Sequence, residues 1–225
     1  MDIEELKQKS YLKVLFVGES GTGKTMNSAK VALKMLEAGA DVLYLDTESE
    51  GSTTLLKVID QEGYDDDVVE NLEYELIDSL EQWYGAFDRS DDFDLMVIDT
   101  LDHKHSYVIS SVTDAKRDGD ADWNEYAQIY SEEKKLMEKI GKPKTNILAT
   151  IDPASGKSNK PKGAQTNVFG YFTAVVQLVK NGDEWSNKII NWVGHSDRIG
   201  TKAADLPVNV SNSFKEYSGI DGEEE

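Results

Sequence analysis

The octet Gly18-Glu19-Ser20-Gly21-Thr22-Gly23-Lys24-Thr25 constrains this chain more than any other feature. It fulfils G-x-x-x-x-G-K-[ST], directly after the apolar run 12–17 and directly before the amphipathic stretch 24–37. Glycine at 18, 21 and 23 opens backbone conformations closed to residues with a Cβ, so the N–H groups of Glu19, Ser20, Thr22 and their neighbours can turn inward onto phosphate oxygens. Lys24 supplies a mobile charge for the β- and γ-phosphates, and Thr25 offers a hydroxyl to Mg²⁺. The helix expected after the loop adds the positive end of its dipole. At average residue usage, a chance match is expected in roughly one chain in a hundred of this length. The octet therefore marks a nucleoside triphosphate site and demands a strand–loop–helix unit to carry it.

Such a site needs a carboxylate at the end of a second buried strand, where it holds the metal through water. Residues 95–99, Leu-Met-Val-Ile-Asp, have that form, and Asp99 is the expected metal residue beside Thr25. Hydrolysis also needs a base to orient the attacking water. The residue after Asp99 is Thr100, so the common placement of that base is missing. Glu48 fills the gap. It follows the apolar run 42–46 at the rim where ligands bind in open α/β sheets.

The rest of the chain alternates apolar β-rich runs with amphipathic stretches, the pattern of an α/β fold whose mainly parallel sheet is flanked by helices. Strands are expected at 12–17, 42–46, 72–77, 95–99, 146–151 and 172–180, and helices at 24–37, near 53–61, at 80–88 and at 123–140. Trp123, Tyr126, Ile129 and Tyr130 recur at helical spacing in the last of these and are expected in the core. Residues 172–180 and 185–193 flank Asn181-Gly182-Asp183, which predicts an antiparallel hairpin at one edge of the sheet. With 225 residues, a single domain over 1–216 is expected, followed by an acidic, disordered tail at 217–225.

Charge and composition exclude several functions. There are 24 Lys and Arg against 43 Asp and Glu, a formal net charge of −19. The segment from Asp60 to Glu75 holds eight carboxylates and no base. A general electrostatic grip on nucleic acid or anionic lipid is thereby excluded, and a polyanion must be held by a local basic patch. The absence of Cys rules out disulfides, thiolate catalysis and Cys-based zinc sites. No apolar run approaches the roughly 18 residues of a membrane span, and residues 1–10 are polar and acidic, unlike a signal peptide, so a cytoplasmic protein without a membrane partner is expected. His103, His105 and His195 are expected to be polar loop residues, since no third ligand of matching spacing accompanies the first two.

The loop, Glu48 and Asp99 in this order resemble the RecA/RadA recombinase superfamily of P-loop ATPases. The resemblance implies a RecA-like fold, ATP and Mg²⁺ as ligands, Glu48 as the catalytic carboxylate, and a further strand whose polar end senses the γ-phosphate. Residues 146–151 stand in that place, with Thr150 or Asp152 as the sensor. Small size, Asp46-Thr47-Glu48 and the late Asp-Arg-Ile-Gly-Thr-Lys at 197–202 look more specifically like the compact phage-encoded RecA-like ATPases that accompany single-strand annealing and recombination. The resemblance covers about residues 12–202. It implies a homo-oligomer whose subunits push a cation onto the neighbour's γ-phosphate, here Arg198 or Lys202, and it puts the protein in the cytoplasm of the host cell. It does not imply a filament, since no separate N-terminal domain precedes the loop. It also implies a mobile DNA-contacting loop after the sensor strand. The segment 153–165 carries Lys157, Lys160 and Lys162 and no acid, so these lysines are the expected contacts with single-stranded DNA.

Other nucleotide-binding classes fit less well. The nearest string to a guanine-reading Asn-Lys-x-Asp, at 159–162, lacks the Asp, which leaves adenine as the expected base. An Arg-rich kinase lid is not supported by a chain whose arginines are Arg89, Arg117 and Arg198. A partitioning ATPase would carry an extra Lys where Glu19 and Ser20 stand. The alternative from a different class is a nucleotide-switched interaction protein that binds no DNA, motivated by the charge of −19.

Overall fold

The computed structural model describes residues 11–49, 51–113, 123–153, 168–193, 198–203 and 205–218. Seven strands join in one sheet: β1 (Lys13–Val17), β2 (Val42–Asp46), β3 (Leu72–Leu76), β4 (Leu95–Asp99), β5 (Asn146–Ile151), β6 (Ala174–Asn181) and β7 (Glu184–Trp192). Their order is β3-β2-β4-β5-β1-β6-β7. Strands β1, β2, β4 and β5 are buried at every position, as their apolar runs require of strands covered on both faces. Edge strand β3, Leu-Glu-Tyr-Glu-Leu, alternates apolar and charged residues instead.

The sheet is parallel from β3 through β6, and only β7 runs against its neighbour. Asn181 pairs with Glu184 across the two-residue turn Gly182-Asp183, where Gly182 has φ 63°. The hairpin lies at the sheet edge, as its sequence predicts, although β6 itself continues the parallel set through its pairing with β1.

Successive residues of each strand enter opposite faces. Val14, Phe16, Tyr44, Val97 and Leu148 pack with α1 (Lys24–Glu37), α2 (Gly51–Glu62) and the C-terminal helix, Leu206–Ser218. Leu15, Val17, Leu45, Ile98 and Ala149 pack on the other face with α3 (Leu80–Asp88), α4 (Lys104–Val112) and α5 (Trp123–Gly141).

The C-terminal helix, α6, was not expected. Its three Ser, two Asn and two Val disfavour a helix intrinsically. It forms because Leu206, Val210 and Phe214, four residues apart, bury against the α1 face of the sheet, each contributing on the order of 2 kcal/mol. Asp205 caps it by accepting from Val208 N at 3.2 Å. Helix α4 was missed for a similar reason, its Lys-His-Ser-Tyr-Val-Ile-Ser-Ser-Val being rich in β-branched residues and Ser.

The expected aromatic core stripe on α5 is corrected. Tyr126 and Tyr130 are each 46% exposed, and the covered face is Ile129, Leu136, Met137 and Ile140. Residues 124–128 are exposed or half-buried, so Ile129 is the first covered position and the two tyrosines fall before it or beside the stripe. Trp123's side chain lies outside the described residues.

Candidate functional site

Parallel strands bring their C-terminal ends to one edge, and the register decides what meets there. Asp46 of β2 pairs with Asp99 of β4, while Val17 of β1 pairs with Ile151 of β5. Gly18, Asp46, Asp99 and Thr150 to Asp152 thus emerge side by side, with the start of α1 above them.

The loop has little room. A Cβ on Gly18 would stand 2.4 Å from Thr22 Oγ1 and 2.8 Å from Leu178 O, so glycine is required where the loop leaves β1. Gly23 precedes α1 with φ 88°, left-handed backbone that a side chain would strain. Lys24, whose side chain is 10% exposed, bends back over the loop. Its Nζ donates to Gly18 O at 2.8 Å, Glu19 O at 3.3 Å and Asp152 Oδ1 at 2.5 Å.

Asp99 is buried and surrounded by hydroxyls. Thr150 Oγ1 donates to Oδ1 at 2.5 Å, Tyr44 OH to Oδ2 at 3.0 Å and Thr25 Oγ1 to Oδ1 at 3.3 Å. Burial pushes the carboxyl above the ordinary Asp value, while the three donors pull the other way. Asp46, equally buried, has a structural task. It accepts from the backbone N–H groups of Glu48, Ser49 and Gly51 at 2.8, 3.0 and 2.8 Å and from the Tyr74 hydroxyl. It therefore holds the turn that enters α2 and sets the position of Glu48.

Glu48 is half-exposed and faces the cavity. Partial burial raises its carboxyl above the ordinary value, and His103, with Nε2 at 3.3 Å from Oε1, opposes that rise. Asp102, another acid near this rim, accepts from Asp152 N at 2.8 Å and from the Thr100 hydroxyl at 2.7 Å, and burial raises its carboxyl too.

One cavity of about 410 Å³ collects these groups, with Ser20, Gly21, Gly23, Lys24, Thr25, Glu48, Asp99, Thr100 and Asp152 on its wall and Met26, Thr54 and Trp185 completing it. Of the two sensor residues expected, Asp152 lines the cavity. Thr150 is fully buried and is linked to it through Asp99, which its hydroxyl holds, and through Thr100, whose hydroxyl donates to its carbonyl at 2.9 Å. The structure does not bring Arg198 and Lys202 to this cavity. Arg198 lies 4.8 Å from the Trp192 ring, and both residues line a separate cavity of about 270 Å³ between β7 and α6. Lys157, Lys160, Lys162 and His195 lie outside the described residues.

Sequence reasoning missed Tyr44, which shares a face of β2 with Asp46 two residues on and so reaches Asp99 on the neighbouring strand. It also missed the carboxylate partners of the histidines, since His103 meets Glu48 and His105 Nδ1 meets Glu133. Among the described residues, no group of three or more His, Asp or Glu is arranged to hold a metal ion. Lys104 is fully buried at the start of α4. Burial lowers its pKa against the attraction of Glu133 and Asp102.

The residues present fit a metal-bound polyphosphate. The Asp152 carboxylate already lies on the Lys24 ammonium, which shows that the lysine is placed to receive an anionic oxygen. Thr25 and Asp99 offer adjacent oxygen ligands of the kind a hard cation takes.

A mainly parallel sheet of this order, with a phosphate-binding loop between β1 and α1 and an antiparallel edge hairpin, is the RecA-like P-loop fold. The RadB recombinase crystal structure is similar to it with a TM-score of 0.52 at 15% identity, over 85% of both chains. The flagellar accessory protein FlaH from Methanocaldococcus jannaschii gives a TM-score of 0.47 at 15% identity, over 85% of this chain and 84% of that one. Among curated proteins none matches the sequence. Residues 10–203 match the AAA domain family, and the chain belongs to that family. Among the described residues no helix is long and apolar enough to cross a membrane.

Proposed function

We propose that the protein binds ATP with Mg²⁺, hydrolyses it, and couples turnover to single-stranded DNA in the cytoplasm during phage-type recombination, annealing or replication. The observation that carries the catalytic part is the convergence of Lys24, Thr25, Glu48, Asp99 and Asp152 on one cavity. In this reading Lys24 exchanges the Asp152 carboxylate for a phosphate oxygen, and the loop amides take the other oxygens. Thr25 and Asp99 hold the cation, with Tyr44 and Thr150 fixing the Asp99 carboxylate. Bound Mg²⁺ supplies charge neutralisation on the β- and γ-phosphates. Glu48 orients a water and accepts its proton, held in place by the Asp46 turn and by His103.

The DNA part rests on Lys157, Lys160 and Lys162. Asp152, at the root of the segment that carries them, touches Lys24 through its side chain and Asp102 through its N–H. Displacing its carboxylate from Lys24 is therefore a local change at that root. Arg198 and Lys202 are exposed and outside their own chain's cavity, which suits cations that act on the phosphate of a neighbouring copy in a homo-oligomer.

The test is ATP turnover with and without single-stranded DNA over a salt series. Three phosphate contacts on a single strand give a slope of log affinity against log salt of roughly −2. Replacing Lys157, Lys160 and Lys162 together by Ala should remove most of that slope and the DNA stimulation while basal hydrolysis persists. A parent protein that hydrolyses ATP but does not bind single-stranded DNA at low salt is a nucleotide-switched interaction protein instead.

A further inference from the structure

Trp185 is unusual. It is 61% exposed on edge strand β7, yet it lines the phosphate cavity beside the loop glycines. It is also part of a second cavity of about 380 Å³, which contains Thr22 and Asn27 from the loop side and runs along α1 toward the start of α6. The two cavities share two residues, Met26 and Trp185. The Lys180 ammonium stands 4.6 Å from the indole centroid, across the hairpin from it, and holds one side of the ring. A large rigid aromatic surface is thus left in water at the junction of a phosphate site and an adjoining groove.

We propose that this groove is the nucleoside seat, with the base of a bound nucleotide stacked on Trp185, and that it accepts adenine and guanine with little discrimination. The proposal rests on the reading of the loop as a nucleotide site. A nucleotide whose terminal phosphates lie at Lys24 must pass its nucleoside out of the phosphate cavity. The adjoining groove shares Met26, the second residue after that lysine, and its volume is ample for a purine nucleoside.

Base tolerance follows from how most of the polar side chains that line the groove are already engaged. Asn187 gives its Nδ2 to Ala203 O at 3.0 Å and takes Ala203 N on Oδ1 at 2.8 Å. Lys30 and Glu62 pair with each other. Asp205 caps α6, and Asn27 donates to Gly23 O at 2.7 Å. Discrimination between bases comes from polar groups that would be left unpaired by the wrong one. Here stacking dominates, and every base has a π-face, the larger purines offering more of it.

The experiment is titration calorimetry of Mg-ATP, Mg-GTP, Mg-CTP and Mg-tripolyphosphate on the parent, Trp185→Ala and Trp185→Phe. The parent should bind ATP and GTP within about fivefold of each other and CTP more weakly. Trp185→Ala should weaken ATP and GTP by about tenfold or more, the size of a lost base–aromatic stack, with tripolyphosphate affinity unchanged. Trp185→Phe should restore most of the loss. Unchanged ATP affinity in Trp185→Ala overturns the proposal, and so does an equal loss for tripolyphosphate, which would make Trp185 a support of the loop. A parent that prefers ATP over GTP by a hundredfold overturns the base tolerance. If the parent binds neither tripolyphosphate nor any nucleotide, the phosphate-site reading itself is wrong, an outcome distinct from failure of the stack.

Discussion

Replacing Asp152 by Asn should tighten nucleotide binding, although the residue lines the site. The Asp152 carboxylate stands 2.5 Å from Lys24 Nζ, with the two side chains 32% and 10% exposed. A triphosphate that takes the ammonium has to break this pair. Fully exposed pairs are worth roughly 0–1 kcal/mol and buried ones more, so a pair with one shielded partner is worth about 1–2 kcal/mol. At 1.4 kcal/mol per factor of ten, removing the competing charge should tighten Mg-ATP binding about five- to thirtyfold. Asn keeps the size of the side chain, and the bond to the Asp102 carboxylate uses only the backbone N–H of residue 152. Calorimetry with Mg-ATP and Mg-tripolyphosphate should show the same gain, since the exchange occurs at the phosphates. An unchanged affinity would mean that the pair does not compete with phosphate. A weaker one would mean that Asp152 acts on the bound nucleotide or its metal, and either result refutes the reasoning.

Glu48→Gln should keep nucleotide affinity and lower turnover by about a hundredfold or more. Because the Glu48 carboxyl is raised by partial burial and the base works deprotonated, the parent's rate should fall on acidification at a pH above the ordinary glutamate range, a limb missing from the residual rate of the variant; a Gln variant with parental turnover would move the base elsewhere. Gly18→Ala puts a Cβ against Thr22 Oγ1 and Leu178 O, which should lower stability by roughly 1–3 kcal/mol and nucleotide affinity at least severalfold; a variant that melts and binds like the parent would contradict the loop geometry. Lys13 is buried in β1 with its ammonium on Pro143 O and Thr145 O, and burial lowers its pKa from 10.5 to about 8. The unfolded chain therefore binds more protons in that window, and stability from this group rises with pH between the two values, by roughly 2–3 kcal/mol in all. Urea unfolding at about pH 7.5 and 10 should show that rise in the parent relative to Lys13→Met, and equal pH dependence in both would refute it.

The phosphate loop was legible in the sequence because its chemistry is local. Eight consecutive residues carry the glycines, the lysine and the hydroxyl, and no distant partner is needed to recognise them. The buried strands were legible because a strand covered on both faces must be apolar throughout, which is why the runs ending at Val17, Asp46, Asp99 and Ile151 stand out. Helix α6 was not, because its Ser and Asn content argues against a helix and only burial of Leu206, Val210 and Phe214 on the sheet overrides it. The tyrosines of α5 misled because periodicity tells which residues share a face and not how far along the helix that face is covered. Tertiary structure alone decided the partners within the site. Lys24 and Asp152 are 128 residues apart, Tyr44 and Asp99 are 55, and only the strand order β2-β4-β5-β1 with its register brings them within hydrogen-bonding distance. The same holds for Trp185, an edge-strand residue in sequence terms, which meets the loop because β6 pairs with β1 and the hairpin folds β7 back along it.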